Sequence, residues 1–461
     1  MSGAHGSGEG GSRYRFGPRE RGGALAGWRA GQIVTVAVGL VFGVLVLRWE
    51  PTAAGVAAAI GILVLYGALA TVPVAGRTGD EWLPVVVCWG ARRSGPWGAK
   101  RAGRIGALRG LRLLRADWRD MGVVHDRAGR TLTAALSLRG GSFALLGADE
   151  QDRRVGAWAS VLSSLAREGS PVHRVQWVAA SFPDDGQGVR SYLAAEAATG
   201  TASACTASYD ALLSDMDSHT CVHHVVLAVQ VRLTRSVEVG CAALAREVGS
   251  LVRLLADADV PVESVLSADD LAQQLVRTYE PHAVVPGATP ARDHWPMAME
   301  ETWSEVRVDG MVHATFWVAE WPRIEVRSDF LAPMLLGSAR STLAVVMEPL
   351  GPDTAVRKVE ASRTADLADA ELRRRGGFMS TARHACESEV LVRREAELAE
   401  GHASFRYSGY VTVSAPSREE LETARDAVLH AAGQSRLALR RLYGDQASAY
   451  TCTLPLCRGL R

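Results

Sequence analysis

Two uncharged apolar blocks dominate the start of the chain. Eighteen residues without charge lie between Arg29 and Arg48, and residues 33–47 are almost wholly aliphatic. Twenty-six more follow between Glu50 and Arg77. A bilayer core needs about 20 apolar residues in a helix, so the second block spans easily and the first is at the short limit. Only Arg48-Trp49-Glu50-Pro51 separates them; Trp suits a water–lipid interface, and Pro can begin a helix but not continue one. The pattern predicts a transmembrane helical hairpin over 30–76. A buried hairpin of a soluble protein would rarely lack charge all round. A cleaved signal peptide fits neither the long polar arm ahead nor the apolar block behind.

After Trp118 the periodicity becomes that of a mixed α/β region. Residues 131–138 alternate as a strand and 142–146 read as a short second one. Asp149 is placed to cap a helix carrying Val155, Trp158, Leu162 and Leu165 on one face, with Gly169 ending it. Residues 172–180 and 222–231 are strand-like, and between 241 and 255 Cys241, Leu244, Val248, Leu251 and Leu255 alternate at helical spacings of three and four. The pattern restarts near 291, with strands over 312–319 and 341–347. A charged helical stretch covers 354–375, breaks at Gly376-Gly377 and resumes over 380–400, with Asp369/Arg373, Glu371/Arg375 and Glu389/Arg393 at i,i+4 spacing. Such a helix is either simply solvated or an arm toward a partner. Last come a strand over 405–413, a capping box at Ser417-Arg418-Glu419-Glu420, a helix burying Leu421, Ala424, Val428 and Ala431 and stopped by Gly433, and a strand over 437–442. This strand–helix–strand unit echoes residues 131–180, which predicts two ferredoxin-like halves.

The fold class expected is therefore α+β: an N-terminal two-helix transmembrane hairpin, then cytosolic mixed α/β (ferredoxin-like) domains with a charged helical arm. The division expected is a disordered, basic N-terminal arm over 1–29, the hairpin over 30–76, a basic juxtamembrane linker over 77–118, and α/β subdomains over 119–290 and 291–461, the latter with the arm.

Charge sets the orientation. The arm carries Arg13, Arg15, Arg19, Arg21 and Arg29, and the stretch after the second span carries nine Lys/Arg from Arg77 to Arg115, against one Arg in the connecting turn. By the positive-inside rule both termini face the cytoplasm, at an inner (plasma) membrane. Seven cysteines with no C-x-x-C pair agree with a reducing compartment. The net charge of +1 excludes a wholly nucleic-acid-binding surface. The basic stretch 92–115 is read as held at anionic lipid headgroups, with no direct nucleic-acid binding.

Chemistry is sparse. There is no G-x-x-x-x-G-K-[ST] loop; Gly95-Pro96-Trp97-Gly98-Ala99-Lys100 has the wrong spacing. His223-His224, two residues after Cys221, is the best metal candidate, but neighbours on a strand point to opposite faces, which favours structural histidines. No G-x-S-x-G or H-E-x-x-H string occurs. No catalytic, cofactor or metal residues are assigned, and the chain is read as non-enzymatic.

Four strings carry a family likeness: Gly76-Arg77-Thr78-Gly79-Asp80-Glu81-Trp82; His313-Ala314-Thr315-Phe316-Trp317-Val318-Ala319-Glu320-Trp321-Pro322 with Asp329-Phe330-Leu331-Ala332-Pro333; Arg340-Ser341-Thr342 with Val345-Val346-Met347-Glu348-Pro349; and Gly409-Tyr410-Val411-Thr412-Val413 with Thr453-Leu454-Pro455-Leu456. Together they resemble actinobacterial membrane proteins of integrative conjugative elements, labelled PrgI-like or EccE-like. The soluble part is more distantly similar to the N-terminal domain of CagE/TrbE-class conjugative ATPases, without the motor. The resemblance implies an inner-membrane scaffold of a conjugation or type IV-like secretion apparatus. Its partners would be a separately encoded motor ATPase and other membrane components, in a homo- or hetero-oligomer. The alternatives are an EccE-like type VII secretion component and a membrane-tethered enzyme with an unrecognised site. The Trp-Pro and Phe-Leu-Ala-Pro strings are read as folding signatures, buried aromatics at a strand end, ahead of a partner interface.

Overall fold

The computed structural model describes residues 30–94, 107–140, 143–183, 221–281, 295–375 and 403–460, with isolated positions in 208–212 and 392–398. The N-terminal arm, the string 95–100, Cys205, Cys386 and most of the helix expected over 380–400 lie outside the described residues.

Helices α1 (Ala30–Trp49) and α2 (Ala53–Thr71) form the hairpin. Thr52 caps α2, its hydroxyl accepting from the Gly55 amide, and Phe42 stacks on Tyr66 at 6.3 Å. The Gln32 side chain donates to the Ala70 carbonyl across the mouth of the hairpin at 2.8 Å. Only 11% and 17% of the two apolar windows are buried. A core helix of a soluble protein would be mostly buried, so both helices are of membrane-spanning length and composition with their apolar surfaces facing outward. Gly79–Ser94 is a third helix, α3, inside the stretch read as a linker.

The rest of the described chain builds one antiparallel sheet from β1 (Leu111–Arg115), β2 (Gly122–Asp126), β3 (Thr131–Leu138), β4 (Val172–Pro183), β5 (Cys221–Arg232), β6 (Val262–Val265), β7 (Met299–Glu301), β8 (Val306–Val308), β9 (Met311–Glu320), β10 (Ser341–Leu350), β11 (Ser404–Ala415) and β12 (Ala438–Arg441). The main path runs β1-β2-β3-β5-β4-β10-β11-β9-β8-β7, with β6 on the outer edge of β3 and β12 on the outer edge of β9. Its helices are α4 (Ala148–Leu165), α5 (Val237–Asp257), α6 (Ala268–Tyr279), the single turn α7 (Ala332–Leu335), α8 (Pro352–Arg375), α9 (Arg418–Gln434) and α10 (Gln446–Tyr450).

This order contains the same unit twice. In β3-α4-β4-β5-α5-β6 the spatial order is β6-β3-β5-β4; in β9-α7-β10-β11-α9-β12 it is β12-β9-β11-β10. Each is the fourth-first-third-second order of a ferredoxin-like βαββαβ unit. The correspondence extends outward, because each unit is preceded by two strands (β1 and β2, β7 and β8) and followed by a short helix (α6, α10). The expected halves are present, but the matching is different. Residues 404–441 correspond to 221–265, whereas 131–183 corresponds to 311–350. The two units meet at β4 and β10, which pair over seven positions from Ser341↔Ser181 to Met347↔Val175, so one continuous sheet carries both.

Local differences from the sequence reading have simple causes. Residues 143–145 form a 3-10 turn instead of a strand. Gly147, not Asp149, precedes α4, and the helix ends at Leu165 with Gly169 at φ +73° in the turn beyond. Gly433 lies inside α9, which runs one residue further. Of the expected capping box the Ser417 half forms, its Oγ accepting from the Glu420 amide at 3.2 Å and donating to the Glu420 carboxylate at 2.8 Å.

Burial on both faces explains the strands. On one face Leu132, Leu136, Leu227 and Val229 pack against Leu244, Val248, Leu251 and Leu255 of α5. In the second half Ala314, Phe316, Val411 and Val413 pack against Leu421 and Val428 of α9. The opposite face is covered by α6, by α10 and by residues 451–460. It carries a polar row matched to that last segment. The Gln176 amide donates to the Cys452 carbonyl (2.8 Å) and accepts from the Cys457 amide (2.6 Å), Gln230 donates to the Leu456 carbonyl (3.2 Å), and Arg174 donates to the carbonyls of Cys457 and Leu460. Buried backbone groups require such partners, so the row converts a crossing loop into part of the core.

Candidate functional site

The feature that joins hairpin to sheet is built on the outer edge of β9. Along that edge β8 pairs with residues 311–313 and β12 with 316–320; the turn entering β8 carries Trp303 and the turn leaving β12 carries Tyr443. The Arg441 Nε donates to the Ser304 carbonyl at 2.8 Å, and the Gly444 amide donates to the Trp303 carbonyl at 2.8 Å, tying the turns together. Gln446 holds Thr315 by both of its backbone groups. Gly444 has φ +70°, and a Cβ there would sit 2.7 Å from the Trp303 ring and 3.0 Å from Val85. Glycine is therefore required on both conformational and steric grounds.

Helix α3 docks onto these turns. Trp82 stacks on Trp303 at 5.7 Å and 26°, Trp89 meets Trp303 edge-on at 5.2 Å, and Trp82 and Trp303 both contact Tyr443. Such pairs contribute about 0.5–1.5 kcal/mol each beyond area burial. The Arg77 guanidinium lies 5.4 Å from the Trp82 ring centroid. Burial lowers its pKa, with Glu81 and Asp445 opposing. Arg440 reaches Glu81 at 3.8 Å while lying over Trp317. Burial likewise lowers the pKa of Arg441. At its other end α3 packs on the hairpin: a Cβ on Gly79 would meet the Leu69 carbonyl at 2.8 Å, and one on Gly31 would meet Asp80 at 2.5 Å. The joint is therefore a short, aromatic, tightly packed link with no slack on either side.

The match to known families falls on the strands beside this joint. Residues 223–318 match the family model described as "Putative type VII ESX secretion system translocon, EccE". The matched stretch runs from β5 through α5, β6, α6, β7 and β8 into β9, crossing from the first ferredoxin-like unit into the second and including Trp303. No curated protein matches the chain. The EccE match, with two helices able to cross a membrane, supports a membrane component of a secretion system. It favours the type VII alternative, and the PrgI-like and CagE/TrbE likenesses gain no support from it.

The family strings converge in space. The His313 ring Nδ1 and the Ser414 hydroxyl lie 2.8 Å apart, and Thr315, Thr412 and Thr453 form a buried hydroxyl chain with 2.8 Å steps. Gly409 is packed under Trp321 and Val318, each 2.8 Å from a built Cβ, and Trp321 meets Tyr407 edge-on at 5.6 Å. Trp321 thus serves as an aromatic plug at the end of β9. His223 and His224 are consecutive on β5, and His224 lies beside Phe182 at 5.9 Å. Among the described residues no group of three metal-ligating side chains is assembled. The arm helix α8 buries Ala355 and Val359 near its start, and an exposed Glu371–Arg375 pair follows at 2.9 Å.

The hairpin and the strings are legible in the sequence, whereas the joint is not. Trp303 and Tyr443 each follow a short strand and carry no period of their own. The one available signal is the uncharged run of residues 82–91 with its two Trp residues, with ten residues between it and the end of α2.

Proposed function

We propose that this chain is a non-enzymatic membrane scaffold of a type VII secretion assembly. Its hairpin crosses the plasma membrane twice with both ends cytoplasmic. Its duplicated sheet is held at the cytosolic face as a platform for other components, including a motor ATPase. The observation that carries this reading is the joint: the stretch similar to EccE contributes Trp303 to a rigid aromatic link with α3, which is itself packed on the hairpin. A rigid link suits a platform whose position relative to the membrane matters. The basic residues flanking the hairpin support the orientation.

Affinity purification of the tagged full chain from native membranes under mild crosslinking tests this. Co-purification of type VII secretion proteins is the expected result. Recovery of conjugation proteins would support the type IV-like reading instead, and recovery of neither would refute the platform role. Labelling intact cells with an impermeant maleimide tests the topology: Cys221, on β5, stays unmodified until the cells are permeabilised if the sheet is cytosolic.

A further inference from the structure

We propose that α3 is an interfacial helix lying in the headgroup–acyl boundary of the cytosolic leaflet, with the bilayer as the partner of its outer face; this rests on the membrane reading of the hairpin. The helix has two unlike sides. Trp82, Val85 and Trp89 face the turns that carry Trp303, Tyr443 and Gly444. The other side presents Leu83, Val86 and Val87, at 66%, 49% and 58% exposure, together with exposed Pro84, Cys88 and Ala91. From Leu83 to Ala91 there is no charged side chain. A soluble helix would carry its polar residues on that outward side.

The level of the helix singles out lipid. Its first turn packs against Gly31 and Leu69, within the two apolar spans and one or two residues from the ends that share a side of the hairpin. The exposed stripe on α3 therefore continues the outward apolar surface of α1 and α2, where Ile33, Val34, Leu65 and Leu69 are exposed. An apolar helix face at such a boundary sits about 5–10 Å into the headgroup region. The sheet domain then meets the membrane through a helix with one side on lipid and the other on protein.

Cys88 supplies the probe position. The full chain, with Cys205, Cys221, Cys241 and Cys386 replaced by Ser, is labelled at Cys88 with bimane and reconstituted alone in lipid nanodiscs. A parallel sample carries Cys88→Ser and Val64→Cys, with the label on the exposed centre of α2. Lipids spin-labelled near the headgroup are expected to quench the Cys88 label strongly, and iodide weakly. Strong iodide quenching, or no quenching by lipid, with the Val64 position still quenched by deep spin labels would overturn the interfacial helix while leaving the hairpin reading intact. Loss of lipid quenching at both positions would overturn both.

Discussion

Replacing Trp303 with alanine is expected to release the sheet from the hairpin without unfolding it. Trp303 makes ring contacts with Trp82, Trp89 and Tyr443 at 5.7, 5.2 and 6.2 Å. Each such contact is worth about 0.5–1.5 kcal/mol beyond its buried area. Taking the lower part of that range for each of the three contacts, the loss is about 2 kcal/mol. A loss of that size shifts the docked-to-free ratio of α3 roughly 30-fold. The side chain projects from a turn outside the three main clusters of buried residues, so thermal unfolding of the sheet should change little. The assay is a spin-label distance measurement on the full chain in nanodiscs, between Cys88 on α3 and a Leu429→Cys label on the exposed side of α9. The parent should give one narrow distance, and the Trp303→Ala chain a broad distribution. An equally narrow distribution in the variant would refute the reasoning, because the joint would then be held by something other than these rings.

Gln176→Leu strips partners from the Cys452 carbonyl and the Cys457 amide, at about 1–3 kcal/mol each, and should lower the melting temperature while loosening residues 451–460 to proteolysis. Ser417→Ala removes the α9 cap and should cost about 1 kcal/mol in denaturant unfolding. Acid should destabilise the sheet between about pH 6.5 and 3. Burial holds His173 down to about 4, with Arg232 and Arg174 adding to the effect and Glu348 opposing, and burial holds His313 down to about 3. Both folded values lie below the ordinary histidine value, so the unfolded chain takes up protons first and stability falls as pH drops through this window. His173→Gln should flatten the decline in melting temperature against pH; an unchanged slope would remove His173 from the explanation.

Much of the fold was legible because its helices and strands carry one-sided or two-sided apolar patterns. Helix α5 buries Leu244, Val248, Leu251 and Leu255 as spaced, and the uncharged spans could hardly be anything but a hairpin. The duplication was only half legible. The helix between β9 and β10 has shrunk to the single turn α7, where the first unit has the long α4, so 311–350 no longer reads as a strand–helix–strand copy of 131–183. Residues 451–460 look like a loop because their burial depends on side chains far away in sequence, Gln176 and Gln230 among them. The joint was illegible for a related reason. Its aromatic residues come from three separate segments, and their meaning lies only in where the turns bring them.

The repeat has one further consequence, which concerns force. The two units are alike in topology, but among the described residues it is the second that docks α3, which in turn packs on the hairpin. The corresponding turns of the first unit, beside β2 and β6, are tied by the same kind of backbone bond, with Met121 bridged to Ser267 and the Gly122 amide donating to the Leu266 carbonyl. A pull on the membrane helices therefore enters at one end of the sheet. It reaches the other unit through the β4–β10 seam and the strap of residues 451–460. Load directed along those strands would shear seven residue pairs together, whereas load across them would peel the pairs apart one at a time. The strap is bonded to β4 and β5 through Gln176 and Gln230 and to β11 through Tyr410, so it spans the seam and braces it against the weaker of the two directions.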